Sequence, residues 1–196
     1  MRAVKQIVGR AVVVQRSDID TDQIIPAAWL KRVERNGFGA GLFEAWRADP
    51  AFPLNQPGAR EAKVLLSGAN FGCGSSREHA VWALQDFGFE AVVAPSFADI
   101  FRGNAIGSGL VPAQVTEEAA ARLGAALAAA PDSDVVVDVE ARTISVGSEV
   151  TEPFQLADYA QWRLLEGLDD VGVTLRHEAE IAAFERRRSE WLPVVS

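Results

Sequence analysis

The chain has 196 residues, which suits one domain with a sizeable core. Hydrophobic residues make up 48% and charged residues 23%, the balance of a soluble globular protein rather than a disordered one. A formal charge of −8, from 19 Lys and Arg against 27 Asp and Glu, argues against a general binder of nucleic-acid phosphates, so no nucleic acid is expected as a partner. No apolar run approaches the ~20 residues needed to span a membrane. Residues 1–10 lack the apolar core of a signal peptide, and the expectation is a cytoplasmic protein without a membrane partner.

Ile7 to Val14 is apolar and β-branched and predicts a first strand, followed by the polar turn Arg16-Ser17-Asp18. Ile25 to Trp46 mixes short helical patterns with Asn36-Gly37 and Gly39, and Asp49 to Gly58 is a proline-containing loop. Lys63 to Ser67 reads as a buried strand that runs into a helix from about Ser76 to Gly88. A short strand at Ala91 to Ala94, a short helix at Phe97 to Asn104 and a strand at Leu110 to Val115 follow. Thr116 caps a helix to about Ala129, with Glu117 and Glu118 in the first turn, where the helix dipole favours them. Asp134 to Glu140 and Thr143 to Val146 predict a hairpin, and Gln155 to Glu166 and His177 to Arg188 two further helices. The strand–helix–strand unit at 63–94 requires some parallel sheet, and the later hairpin adds antiparallel pairing. The expected fold class is α/β, with a mixed sheet flanked by helices.

The run Phe71-Gly72-Cys73-Gly74-Ser75-Ser76-Arg77-Glu78-His79-Ala80 sits where the strand enters the helix. Its glycines allow positive φ and let a ligand approach the backbone. A helix N-terminus supplies free amide donors and a positive field, and Arg77 adds a planar cationic fork suited to a carboxylate. Ser75 and Glu78 also have the spacing of a capping box, which explains Glu78 on structural grounds alone. A cap does not explain an arginine in the first helical turn, where the dipole disfavours it by a few tenths of a kcal/mol or more. That arginine suggests a bound anion.

Two other constellations fail as sites of different chemistry. Asp18, Asp20 and Asp22 have the spacing that opens a calcium-binding loop. Positions six and twelve of such a loop take glycine and glutamate, whereas this chain has Gln23 and Trp29. The alternative is a polar turn whose aspartates bond nearby amides. Cys73 is the single cysteine, so no internal disulfide forms, and the chain lacks the several thiolates that hold an iron–sulfur cluster. Nothing places a base and an orienting group around Cys73, so it reads as a small residue suited to a tight turn.

The decapeptide resembles the GxGSSREHA signature of the swivelling domain of the aconitase superfamily. Ile19 to Pro26, Gly37 to Ala40, Ala94 to Phe101 and Gly167 to Leu175 are similar, in order, to blocks of the bacterial small subunits of 3-isopropylmalate dehydratase. The resemblance implies one swivelling β/β/α domain over residues 1–196. It implies a chain active only with a large subunit that carries a [4Fe–4S] cluster, the Lewis acid for the departing hydroxyl. The substrate would be a small diacid, 2-isopropylmalate, isomerised to 3-isopropylmalate by dehydration and rehydration in leucine biosynthesis. Ser75 is then the catalytic base, and Arg77, Ser76 and Gly74 bind substrate. Asp20, Thr21, Asp22, Gly72, Cys73, Glu78 and His79 support them. No metal site is expected on this chain.

The basic stretch Trp29 to Gly37 reads by itself as a solvated helix end. By resemblance it is the loop that selects the substrate, with Arg35 favoured over Arg32 as the contact. His177 is expected to be structural, and Arg186-Arg187-Arg188 to close a helix C-terminus. The resemblance leaves two alternatives open: a hydratase of a related diacid (homoaconitate, citraconate or dimethylmalate), or a non-catalytic binding domain of the same fold.

Overall fold

The first apolar run makes two strands, β1 (Gln6–Gly9) and β2 (Ala11–Val14), with Arg10 between them. In the computed structural model, which describes residues 1–31 and 36–188, the two strands enter different sheets. β1 pairs antiparallel with β6 (Val135–Asp138), whereas β2 pairs parallel with β3 (Val64–Ser67). The corner is tight: a Cβ on Gly9 would lie 2.6 Å from Cγ of Lys63. The Arg10 carbonyl accepts from the amides of Lys63 (2.9 Å) and Val64 (3.2 Å), so the turn leaves no orphaned acceptor there.

The parallel sheet has the order β2-β3-β4-β5, with β4 at Ala91–Ala94 and β5 at Val111–Gln114. The crossovers from β3 to β4 and from β4 to β5 carry α2 (Glu78–Phe87) and α3 (Asp99–Ser108). The antiparallel sheet has the order β1-β6-β7-β8, with β7 at Thr143–Val146 and β8 at Val150–Pro153. Parallel and antiparallel pairing are both present, as the sequence implies, but they separate into two sheets instead of sharing one. The division follows from the break at Arg10, which passes the chain from one sheet to the other.

Alternation along β3 and β4 assigns the layers. Leu65, Val92 and Ala94 pack with Ala83 and Leu84 of α2 and with Phe38, Phe43 and Phe71. Val64, Leu66, Ala91 and Val93 pack on the opposite face, with Val135, Val137, Ile144 and Val146 of the antiparallel sheet and Leu123 of α4 (Glu117–Ala129). The period of two therefore gives a β/β/α stack with a core on each side of the parallel sheet. Each Leu or Val so enclosed contributes about 1.5–3 kcal/mol of burial.

Several elements differ from those the sequence predicts. α3 runs on to Ser108 through Gly103 and Gly107 and stops at Gly109, whose left-handed φ of +84° turns its amide back onto the last carbonyls. β8 occupies a stretch with a glutamate and a proline that does not look like a strand. Glu152 is buried and accepts a bidentate pair from Arg122 of α4 (2.6 and 2.9 Å), which fastens this edge strand. α5 (Asp158–Glu166) consequently starts three residues later than Gln155.

The connection from β3 to α2 is fixed by packing. Gly72 has φ +76°, and a Cβ there would lie 2.3 Å from Cγ of Phe101 in α3. Gly74 has φ +88°, but its nearest neighbour would be Cβ of Asp20 at 3.4 Å, an ordinary contact. Gly72→Ala should therefore cost about 2–4 kcal/mol from left-handed strain plus overpacking, against about 1–2 for Gly74→Ala from strain alone. Thermal denaturation of the two variants beside the wild type checks the order; equal melting temperatures would show that Phe101 yields freely.

Candidate active site

The chain leaves the carboxyl ends of β2, β3 and β4 close together, the edge at which open parallel sheets bind ligands. Three segments meet there. The amide of Asp18 donates to the Ala69 carbonyl (2.9 Å), and Asn70 Nδ2 donates to Oδ1 of Asp18 (2.8 Å). The amide of Phe71 donates to the Ser96 carbonyl, and the amide of Ala98 to the Phe71 carbonyl, each at 3.0 Å. Phe71 is fully buried and meets Phe101 edge-on, so the loop is anchored by an aromatic side chain as well as by its backbone.

Beyond Phe71 the loop lies along the segment at 19–21. The Gly72 amide donates to the Ile19 carbonyl (2.8 Å), and the Thr21 amide donates to the Cys73 carbonyl (2.9 Å). Thr21 is buried, and its Oγ1 donates to the Ser75 carbonyl at 3.1 Å. These ties, with two positive-φ glycines, hold residues 72–76 out of helical conformation. α2 therefore starts at Glu78, with Arg77 as an N-cap that makes no side-chain cap bond. The Ser75–Glu78 capping box predicted from sequence does not form, and Arg77 precedes the first turn instead of lying in it. The capping box of this region belongs to α1 (Thr21–Ile24): Oδ1 of Asp20 accepts from the Gln23 amide (2.7 Å), and the Asp20 amide donates to Oε1 of Gln23 (2.9 Å).

Ser75 and Ser76 are consequently exposed, and neither hydroxyl has a hydrogen-bond partner among the described residues. Arg77 stands beside them with its side chain 17% exposed, paired through Nη1 with Oδ1 of Asp22. The aspartates at 18, 20 and 22 thus have three separate partners: Asn70, the α1 amide and Arg77. No group of three or more His, Cys, Asp or Glu side chains among the described residues is arranged to hold a metal.

Cys73 is half-buried, and burial foremost, then the charges of Asp20 and Asp18, push its thiol up. The sulfur stays protonated near neutral pH and is a poor nucleophile. His79 turns to the aromatic side of α2, with its ring 4.6 Å from that of Trp82 and 5.3 Å from that of Phe38. The Phe38 amide donates to Oδ2 of Asp86 (2.8 Å), which holds the end of the basic stretch on α2. Arg32 and Arg35 themselves lie outside the described residues. Glu78 is exposed, and His177 pairs loosely with Glu180 on the surface.

Sequence reasoning passes over Asn70, Ser96 and Phe101. Asn70 has φ +57° and its amide donates to Ser96 Oγ at 2.8 Å, while Phe101 fills the space over Gly72. The available signal is the Ala94 to Phe101 block, which is as rich in turn and aromatic residues as the decapeptide.

Comparison with known proteins matches this architecture. Residues 1–118 fit the family described as Aconitase C-terminal domain, and residues 170–193 the family described as the C-terminal domain of the 3-isopropylmalate dehydratase small subunit. Curated relatives named 3-isopropylmalate dehydratase small subunit include that of Frankia alni, 58% identical over 94% of each chain. That of Parafrankia sp. is 57% identical over 96% of each chain, and that of Rubrobacter xylanophilus 51% identical over 100% of each. A crystal structure of 3-isopropylmalate dehydratase from Methanocaldococcus jannaschii superposes with a TM-score of 0.69 at 28% identity, covering 91% of this chain and 98% of that one. With two serine hydroxyls that have no partner among the described residues and a guanidinium at the carboxyl ends of its parallel strands, and with these relatives, the chain belongs to the family of 3-isopropylmalate dehydratase small subunits.

Proposed function

We propose that this chain is the proton-transfer and carboxylate-binding half of 3-isopropylmalate dehydratase, a hydro-lyase of leucine biosynthesis that works with a large subunit. The observation that carries the reading is the pair of uncommitted hydroxyls, Ser75 and Ser76, beside Arg77 on a loop whose backbone is tied down at Ile19, Thr21 and Ser96. Isomerisation of 2-isopropylmalate removes a proton from one carbon and a hydroxyl from its neighbour, then returns water with the positions exchanged. This chain handles the carbon-bound proton and a carboxylate. Ser75 Oγ, acting as the alkoxide, takes the proton in the dehydration step to become the hydroxyl and gives it back to the adjacent carbon on rehydration, and Ser76 hydrogen-bonds alongside.

A serine is a very weak base unless its oxyanion is stabilised. The Arg77 charge and the amide donors at the start of α2 supply a fixed positive environment for it. Arg77 presents a planar fork for a substrate carboxylate. Its present partner, Asp22, is more than half exposed, and a pair of that kind is worth only about 0–1 kcal/mol, so a substrate carboxylate can share or displace it. Gly74, at φ +88°, turns the loop against Asp20 and Thr21 just ahead of the serines.

The chain's one cysteine does not fit an iron–sulfur cluster, which takes several thiolates. The Lewis acid that accepts the hydroxyl is then carried by the large subunit to which the relatives' name points. A diacid partly held by Arg77 would span both chains.

Ser75→Ala, reconstituted with the cognate large subunit, should melt as the wild type does but lose about 100–1000-fold or more in turnover of 2-isopropylmalate. Near-normal turnover would overturn the assignment of the base. Arg77→Lys should lower kcat/KM by about 10–100-fold, since one ammonium cannot replace two parallel hydrogen bonds worth about 1.5–3 kcal/mol. Thr21→Val removes the donor to the Ser75 carbonyl; it should cost about 1–3 kcal/mol of stability and depress kcat more than it raises KM. Thr21→Ser should restore both, and steady-state kinetics beside a denaturation curve separates the two effects.

A further inference from the structure

The C-terminal arm of the described chain lacks the packing that short helices require. α6 (Asp170–Leu175) and α7 (Glu178–Arg186) span six and nine residues, and neither contains a buried residue. Helices of this length are marginal in water and normally owe their stability to a packed apolar face. Both carry such a face. Val171 and Leu175 lie four apart on α6, with 66% and 59% exposure, and Ile181 and Phe184 lie three apart on α7, with 38% and 63%.

The local bonds do not make up the difference. The Asp169 carboxylate caps α6 through the Gly172 amide (2.7 Å), the nearly buried Arg163 pairs with exposed Asp170, and a surface pair joins Arg176 to Glu166. Ion pairs with a solvent-facing carboxylate add little to the stability of a helix this short. A run of unburied Val, Leu, Ile and Phe on two successive helices signals a surface that another body covers.

The family comparisons indicate which body. The site-bearing part of the chain matches a domain named as the C-terminal domain of aconitase, one that is joined covalently to the rest of its enzyme. In this family the same domain is a separate small subunit, so a surface has to replace the covalent link. The residues matched as the small subunit's own C-terminal domain, 170–193, begin at the first residue of α6. We infer that the α6–α7 arm is a docking surface for the large subunit, with Val171, Leu175, Ile181 and Phe184 as its apolar anchors. This inference rests on the heteromeric reading above but not on the roles of Ser75 and Arg77.

The test is the double variant Leu175→Asp/Phe184→Asp in the full chain, titrated against the cognate large subunit beside the wild type and Ser75→Ala. Loss of two buried anchors should weaken association at least about 10-fold, with turnover recovering to the wild-type level at saturating small subunit. Ser75→Ala should associate normally while turning over poorly. Unchanged affinity of the double variant overturns the proposal. So does a lowered melting temperature of the isolated variant, which would mean that the chain's own residues cover the face. A change confined to self-association in sedimentation would assign the face to a second copy and likewise overturn it. Wild type that fails to bind any large subunit would sink the heteromeric reading itself, and Ser75→Ala with full turnover would sink only the assignment of the base.

Discussion

The backbone ties between residues 19–21 and 72–75 set the conformation on which the site depends. Without them, the segment from Gly72 to Ser76 would be free to continue α2 toward its N-terminus, and Ser75 would commit its hydroxyl to a cap. With them, the Ser75 carbonyl is committed to Thr21 and the serine side chain is left without a partner among the described residues. The ordering cost of the loop, about 1–2 kcal/mol per residue, is met when the chain folds and not when a ligand arrives. A site held in this way is preorganised, which is what an oxyanion-stabilising environment requires.

The electrostatics are local. A chain of net charge −8 has no general attraction for a diacid, yet it sets one arginine next to two hydroxyls that have no partner among the described residues, and keeps that arginine oriented with a solvent-facing aspartate. The pairing orients the guanidinium, and because Asp22 is more than half exposed the pair itself is a weak one. Cys73, only two residues before Ser75, has its thiol pushed up by burial and by the neighbouring aspartates.

The sheet arrangement explains why the small domain can present this edge cleanly. One face of the parallel sheet is covered by α2 and the aromatic residues around Phe38 and Phe43, the other by the antiparallel sheet and α4. With both faces filled, the carboxyl ends of the strands are where loops can converge without burying unsatisfied backbone. Gly72 lets the most important of these loops touch Phe101 directly, so the aromatic anchor and the serine turn are only a few residues apart.

Local pattern decided a great deal by itself. The buried strand at 63–67, the helices after Thr116 and before Gly167, the hairpin at 134–146 and the serine–arginine turn all follow from periodicity, capping chemistry and the signature residues, because each is set by neighbours in sequence. What the sequence left undetermined are contacts between distant residues. Arg10 marks a change of sheet only because β6 and β3 lie on different sides of it, and β8 is a strand because Arg122, 30 residues earlier, takes up Glu152. Thr21 meets Ser75 across 54 positions, and that bond turned an expected cap into an open hydroxyl. Hydrogen bonds of such separation have no local signature, since their geometry exists only once the two sheets and the helical layer have closed around one another.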